Sequence, residues 1–120
     1  MPKIKYLAPE EVKQINTELG CKGMISEGNL SFVLDEIRDL HESLERKAIV
    51  LLYKLIQSHP FLDGNKRTAF LTMIEFLHRN GKDIKYSKML DYLNRRLLYD
   101  IADNKIVLED VENIFEEVIR

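Results

Sequence analysis

The chain has 120 residues, 45% of them hydrophobic and 32% charged, with a net charge of −2 and a pI near 5.9. That balance excludes a disordered or collagenous chain, leaves room for one domain over residues 1–120, and offers no surplus of positive charge for non-specific binding along a nucleic-acid backbone. A lone Cys21 excludes an intramolecular disulfide, no Cys/His cluster has zinc spacing, and neither a signal-peptide core nor a window of roughly 20 apolar residues is present, so a cytoplasmic protein without membrane insertion is expected.

In chain order, Pro9 followed by Glu10 and Glu11 predicts a helix start, with Val12, Ile15 and Leu19 marking one face. Gly20, Gly23 and Gly28 make the next stretch too rich in breakers for regular helix, and it reads as an irregular insert, a mobile loop or a short hairpin. From Asn29, Leu30, Val33, Leu34 and Ile37 return at helical spacing. The run "LERKAIVLLYKLIQ" places Leu44, Ala48, Leu51, Leu52, Leu55 and Ile56 on a broad stripe, which predicts a central helix. After the turn "HPFLDGNKRTAF", Phe70, Met73, Ile74 and Leu77 define a helix that stops at "RNG", with Gly81 as the left-handed residue past its end. "KDIKYS" reads as a short extended piece. Met89, Leu90, Leu93, Leu97, Leu98 and Ile101 predict a further helix, and Leu108, Val111, Ile114, Phe115, Val118 and Ile119 a last one. The expectation is all-α, a bundle of about six helices.

The turn between the two apolar helices carries the chemistry. If a helix begins near Asn65, the N–H groups of Gly64, Asn65, Lys66 and Arg67 lack intrahelical acceptors and sit at the positive end of the dipole, which is an anion site suited to phosphates. Gly64 leaves the approach open, Lys66 adds a point charge, and Arg67 can grip two phosphate oxygens. Asp63 stands where one carboxylate could bind Mg²⁺ shared with the phosphates. His59 is the natural general base, while Pro60 stiffens the turn and Phe61 anchors it. An EF-hand is excluded, since Arg67 occupies the fifth loop position and Ile74 the twelfth, and there is no Walker A pattern. His41 and His78 read as residues without a role, and Tyr53 and Tyr99 as core or rim residues.

"HPFLDGNKR" resembles the signature loop of the Fic/Doc family: His, Phe, an acid, Gly or Ala, Asn, Gly or Lys, and Arg at fixed offsets. "YLAPEEVKQIN", the Gly-rich insert, a helix, the motif and "FLHRNG" follow the order of its death-on-curing (Doc) branch. The resemblance implies a single Fic/Doc-type helical bundle with a short flap, and transfer of part of a nucleoside triphosphate to a protein hydroxyl. It implies His59 as the base that activates that hydroxyl, Asp63 as the Mg²⁺ ligand, Gly64, Asn65 and Lys66 as the anion nest, and Arg67 on phosphate. It also implies that the insert, with Lys22, Gly23, Met24 and Ile25, is a flap that lines up a target segment by strand pairing.

Two departures bear on the chemistry. Adenylylating Fic proteins carry Gly where this chain has Lys66 and a second Arg where it has Phe70; the "NKR" pattern is similar to Doc-like proteins, which implies γ-phosphate transfer from ATP. The inhibitory pattern of many Fic proteins fails here, because the residue four before Glu27 is Gly23. The resemblance therefore implies a toxin-like kinase acting on a Ser or Thr of a host protein, such as a translation factor, and held by a separate antitoxin. The rivals are AMP transfer by the same loop and a non-catalytic helical module that only docks a partner. No oligomeric state is implied.

Overall fold

The computed structural model describes residues 3–21, 23–84, 96–116 and 118–119. Among these lie six helices: α1 (Pro9–Glu18), α2 (Glu27–Asp39), α3 (Leu44–Ser58), α4 (Asn65–Arg79), α5 (Leu97–Ala102) and α6 (Leu108–Glu116). Two isolated antiparallel bridges, Met24 with Phe61 and Ile84 with Ile119, are the only extended pairings among the described residues. The fold is all-α, as its periodicity predicts.

Local chemistry sets the helix ends. Pro9 opens α1, and the Glu11 carboxylate accepts from the Ala8 N–H at 3.0 Å; Ala8 has no side-chain acceptor, so only this half of a capping box forms. The Ser26 hydroxyl accepts from the Asn29 N–H at 3.0 Å, and Ser43 caps α3 in the same way through the Arg46 N–H at 3.2 Å. At the end of α4, Gly81 takes φ +78°, its N–H donates to the His78 carbonyl, and Lys82 N–H donates to Leu77 carbonyl at 2.9 Å. That is the Schellman arrangement, and it needs a residue free to turn left-handed.

Helix α3 is the centre of the domain. It buries Ala48, Ile49, Val50, Leu51, Leu52, Leu55 and Ile56 and packs against α2, α4, α5 and α6. Apolar on most of its circumference, it cannot be a surface helix. Lys47 is its buried exception, only 4% exposed. Its ammonium donates to the Ile37 and Arg38 carbonyls at 3.1 and 3.2 Å and to Tyr6 Oη at 2.6 Å, so it closes the carbonyl end of α2 from inside.

Helix α1 is clamped across α4. Arg79 pairs with Glu11 and, at 3.0 Å, with Glu75. The Arg79 guanidinium, helped by the Ala8 N–H, holds the Glu11 carboxyl below its ordinary range, and the two carboxylates push Arg79 up in turn. This clamp holds the start of α1 against the end of α4.

Three expectations are revised. Helix α2 starts at Glu27 and not at Asn29: Gly28 sits inside the first turn with Ser26 as cap, so the irregular insert is shorter than its glycines suggest. Of the helix expected from Met89 through Ile101, the described part is α5, which opens at Leu97 because Arg96 at φ +64° does not allow one continuous helix through that position; Met89, Leu90 and Leu93 lie outside the described residues. The last helix ends at Glu116, and Ile119 bridges Ile84, which is the described part of the extended "KDIKYS" stretch; residues 85–87 lie outside the described residues. No helix among the described residues is long and apolar enough to cross a membrane.

Candidate active site

The loop between α3 and α4 is built by hydrogen bonds that its own residues supply. The side chain of Asn65, 7% exposed, accepts from the Phe61 N–H at 2.9 Å and donates to the Phe61 carbonyl at 2.8 Å. This two-way grip folds residues 61–65 into a tight loop, and the Phe61 ring is buried beneath it at 2% exposure. Pro60 is buried as well, and its carbonyl accepts from the Ile25 and Ser26 N–H groups at 2.8 and 3.1 Å. The insert is thus neither a hairpin nor a free loop. Gly23, Met24 and Ile25 run antiparallel to the motif, with the Leu62 N–H donating to the Gly23 carbonyl at 3.4 Å, and Lys22 lies outside the described residues.

Gly64 is required twice over. It takes φ +74° as the residue that precedes α4, and a Cβ there would lie 2.5 Å from Cys21 Sγ. Only glycine fits that conformation and that approach without strain. From this point α4 starts abruptly. The first helical bond runs from the Thr68 N–H to the Gly64 carbonyl at 2.8 Å, leaving the amides of Asn65, Lys66 and Arg67 without an acceptor among the described residues. The Gly64 N–H differs from its neighbours: it donates to its own preceding carboxylate, Asp63 Oδ1, at 2.8 Å. The expected set of four open amides is therefore three, with the fourth orienting Asp63.

Charge is placed against the usual rule. The first turn of α4 carries no acid and two bases, Lys66 and Arg67, at the positive end of the dipole. Such cations cost roughly 0.3–1 kcal/mol each where no anion is bound, and an anion reverses that sign. Asp63 through Arg67 line one cleft of about 370 Å³, closed opposite by Leu98 and Tyr99 from α5. The Lys66 ammonium lies 4.8 Å from the centre of the Tyr99 ring, and Arg96 lies 5.2 Å from it. Arg67 Nη2 is 4.0 Å from Cys21 Sγ. A larger hollow of about 600 Å³ lies at the opposite end of α3, but Glu45, Glu109, Glu112 and Glu116 outnumber Arg46 in its lining, a net negative charge unsuited to a phosphate.

His59 terminates α3 in the left-handed region, at φ +48°, and its side chain is exposed. It makes no side-chain hydrogen bond among the described residues. Asn29 of α2 secures the turn, its Nδ2 donating to the Ser58 carbonyl at 3.0 Å. A non-glycine residue there is strained by roughly 1–2 kcal/mol, the kind of strain that gathers at functional sites. His59 stands outside the lining of the cleft, at the opposite end of the loop from Gly64.

Asp63 is exposed, with one carboxylate oxygen held by the Gly64 N–H. It fits Mg²⁺ as a single protein ligand whose remaining partners come from phosphate and water, the usual mode for this ion. No group of three or more His, Cys, Asp or Glu suited to a metal occurs among the described residues.

The motif alone did not reveal the residues that support it. Asn16, Cys21, Asn29, Leu98 and Tyr99 come from other elements. Of these, Asn16 had a readable signal, a polar residue within the apolar face of Val12, Ile15 and Leu19.

Comparison with known proteins bears on the same stretch. The model of the Fic/DOC family matches residues 6–77, which includes all of the loop from His59 to Arg67. Over 75 residues the chain is 46% identical to the Toxin Doc of Mycolicibacterium smegmatis, a match that covers 59% of this chain and 58% of that protein's length.

Proposed function

The chain belongs to the Fic/DOC family, and from that premise we propose that it is a Doc-like toxin that transfers the γ-phosphate of ATP to a Ser or Thr hydroxyl of a host protein. The observation that carries this reading is the start of α4, where three open amides and two cations without an ion pair among the described residues line a cleft. Phosphate is the ligand such an end favours.

In this reading, the amides of Asn65, Lys66 and Arg67 bind the phosphate chain, with the Lys66 and Arg67 side chains on its outer oxygens. Asp63 would hold Mg²⁺, which when bound neutralises charge on the phosphates. The His59 imidazole takes the proton from the target hydroxyl. That oxygen forms a bond to the γ-phosphorus while the bond to the β–γ bridging oxygen breaks, and the electron pair leaves with ADP. Gly23, Met24 and Ile25 offer their outer edge to the target segment by strand addition. The protein target is of the kind a Doc branch member would modify, a translation factor, and a separate antitoxin restrains the toxin. The Toxin Doc similarity supports that assignment.

Phosphate rather than AMP is favoured by Phe70. It packs against the core as a half-buried residue, so the position where adenylylating relatives present a second Arg has no donor for the distal phosphates. Incubation with Mg²⁺ and ATP labelled at either the α or the γ position, with a protein target, tests the reading. Label from γ alone on the target supports it; label from α overturns it in favour of AMP transfer. No transfer, with toxicity unchanged in His59→Ala, would make the domain a docking module.

A further inference from the structure

Asn16 is 3% exposed, lies 47 residues upstream of Asp63, and spends both protons of its amide on the start of α4. Its Nδ2 donates to the Asp63 carbonyl at 3.0 Å and to Thr68 Oγ1 at 3.0 Å. The first bond matters for the site. In a trans peptide the carbonyl and the N–H point in opposite directions, so holding the Asp63 carbonyl toward α1 aims the Gly64 N–H away from α1. That N–H donates in turn to Asp63 Oδ1. One side chain on α1 therefore fixes a peptide plane, the plane fixes an amide, and the amide fixes a carboxylate.

The alternative arrangement is harmful to phosphate chemistry. With the peptide turned over, the Asp63 carbonyl oxygen would replace the Gly64 N–H on the cleft side, setting a partial negative charge where phosphate oxygens must lie. A glycine makes such a turn easy, because its backbone is free on both sides of φ = 0. The chain has no other side chain on this carbonyl among the described residues.

We propose that Asn16 is a positioning residue of the phosphate site, acting through the Asp63–Gly64 peptide to keep the Gly64 N–H and the Asp63 carboxylate on the cleft side. The proposal rests on the reading of the cleft as a phosphate-transfer site. Three variants of the full chain test it. Asn16→Asp keeps the shape but sets an oxygen against the Asp63 carbonyl, Asn16→Ala removes the donor, and Thr68→Val removes only the second bond of the same amide.

Asn16→Asp and Asn16→Ala should lower kcat for phosphate transfer about 100-fold, an effect of the size that follows the loss of one preorganised active-site group, here the oriented Asp63 carboxylate, with KM for ATP within about threefold because the three open amides of Asn65, Lys66 and Arg67 still bind. The Gly64 amide proton signal in a two-dimensional nitrogen–proton NMR spectrum should move in both. Thr68→Val should lose stability yet keep kcat and that signal. If Thr68→Val matches the Asn16 variants in both kcat and signal, Asn16 only packs α1 on α4 and the proposal fails. An inactive wild-type chain would overturn the kinase reading instead, and the NMR comparison, which needs no substrate, would still decide whether Asn16 sets the peptide. Should Asn16→Asp not fold, Asn16→Ala carries the same comparison.

Discussion

Replacing Gly64 by alanine measures how tightly the phosphate loop is built. The new Cβ would stand 2.5 Å from Cys21 Sγ and 3.4 Å from Asn16 Nδ2, on a backbone at φ +74°. Left-handed strain contributes roughly 1–2 kcal/mol and overpacking roughly 1–3 kcal/mol, so Gly64→Ala should cost about 2–5 kcal/mol. Cys21→Ala alone removes one buried sulfur and should cost about 1 kcal/mol. It also empties the space that the new methyl needs, while the Cys21 Cβ, at 3.6 Å, stays in ordinary contact. The double variant should therefore be about 1–3 kcal/mol more stable than the sum of the singles, retaining the backbone strain but losing the collision. Urea denaturation of the four proteins gives this coupling from the midpoints, provided the slopes match. Costs that add to within about 0.5 kcal/mol would refute the claim that Cys21 and Gly64 are packed against each other.

Other perturbations separate function from stability. His59→Gly should abolish transfer while raising stability by about 0.5–1 kcal/mol, since glycine relieves the left-handed strain and returns part of the gain as chain entropy; thermal melts and a transfer assay read the two effects. Lys47→Met keeps the volume but strips the donor from the Ile37 and Arg38 carbonyls, and each buried orphan should cost roughly 1–3 kcal/mol in a denaturant titration. Glu11→Gln tests the clamp on α1. The folded carboxyl titrates below its ordinary value of 4.5, so its contribution is fully present above that value and is lost as pH falls through the lowered one. The pair is partly exposed, which limits it to about 0.2–1 kcal/mol. The gap in melting temperature between wild type and Glu11→Gln should be present at neutral pH and close in acid.

Periodicity made the helices legible because each buries one face: α3 and α4 are marked by apolar residues at three- and four-residue spacing, and Gly81 by its place after "RN". The start of α2 was hidden because Gly28 reads as a breaker, whereas the cap at Ser26 outweighs one glycine in the first turn. Arg96 gave no warning of its left-handed backbone, since arginine rarely adopts it. For the site, the motif identified the contiguous residues from His59 to Arg67, but spacing cannot reveal what reaches them from elsewhere. Tyr99 reads from sequence only as a core or rim residue, and its place in the lining of the cleft is set by how α5 packs on α3 and α4. The same limit hid the capture of the Gly64 N–H by Asp63, a contact between adjacent residues that depends on one peptide plane.

The most direct measurement is the intact mass of a purified translation-factor target after incubation with this protein, ATP and Mg²⁺. A gain of one phosphoryl group, absent with His59→Ala, is expected. A gain of one AMP, or the same phosphoryl gain with His59→Ala, would contradict phosphate transfer with His59 as the base.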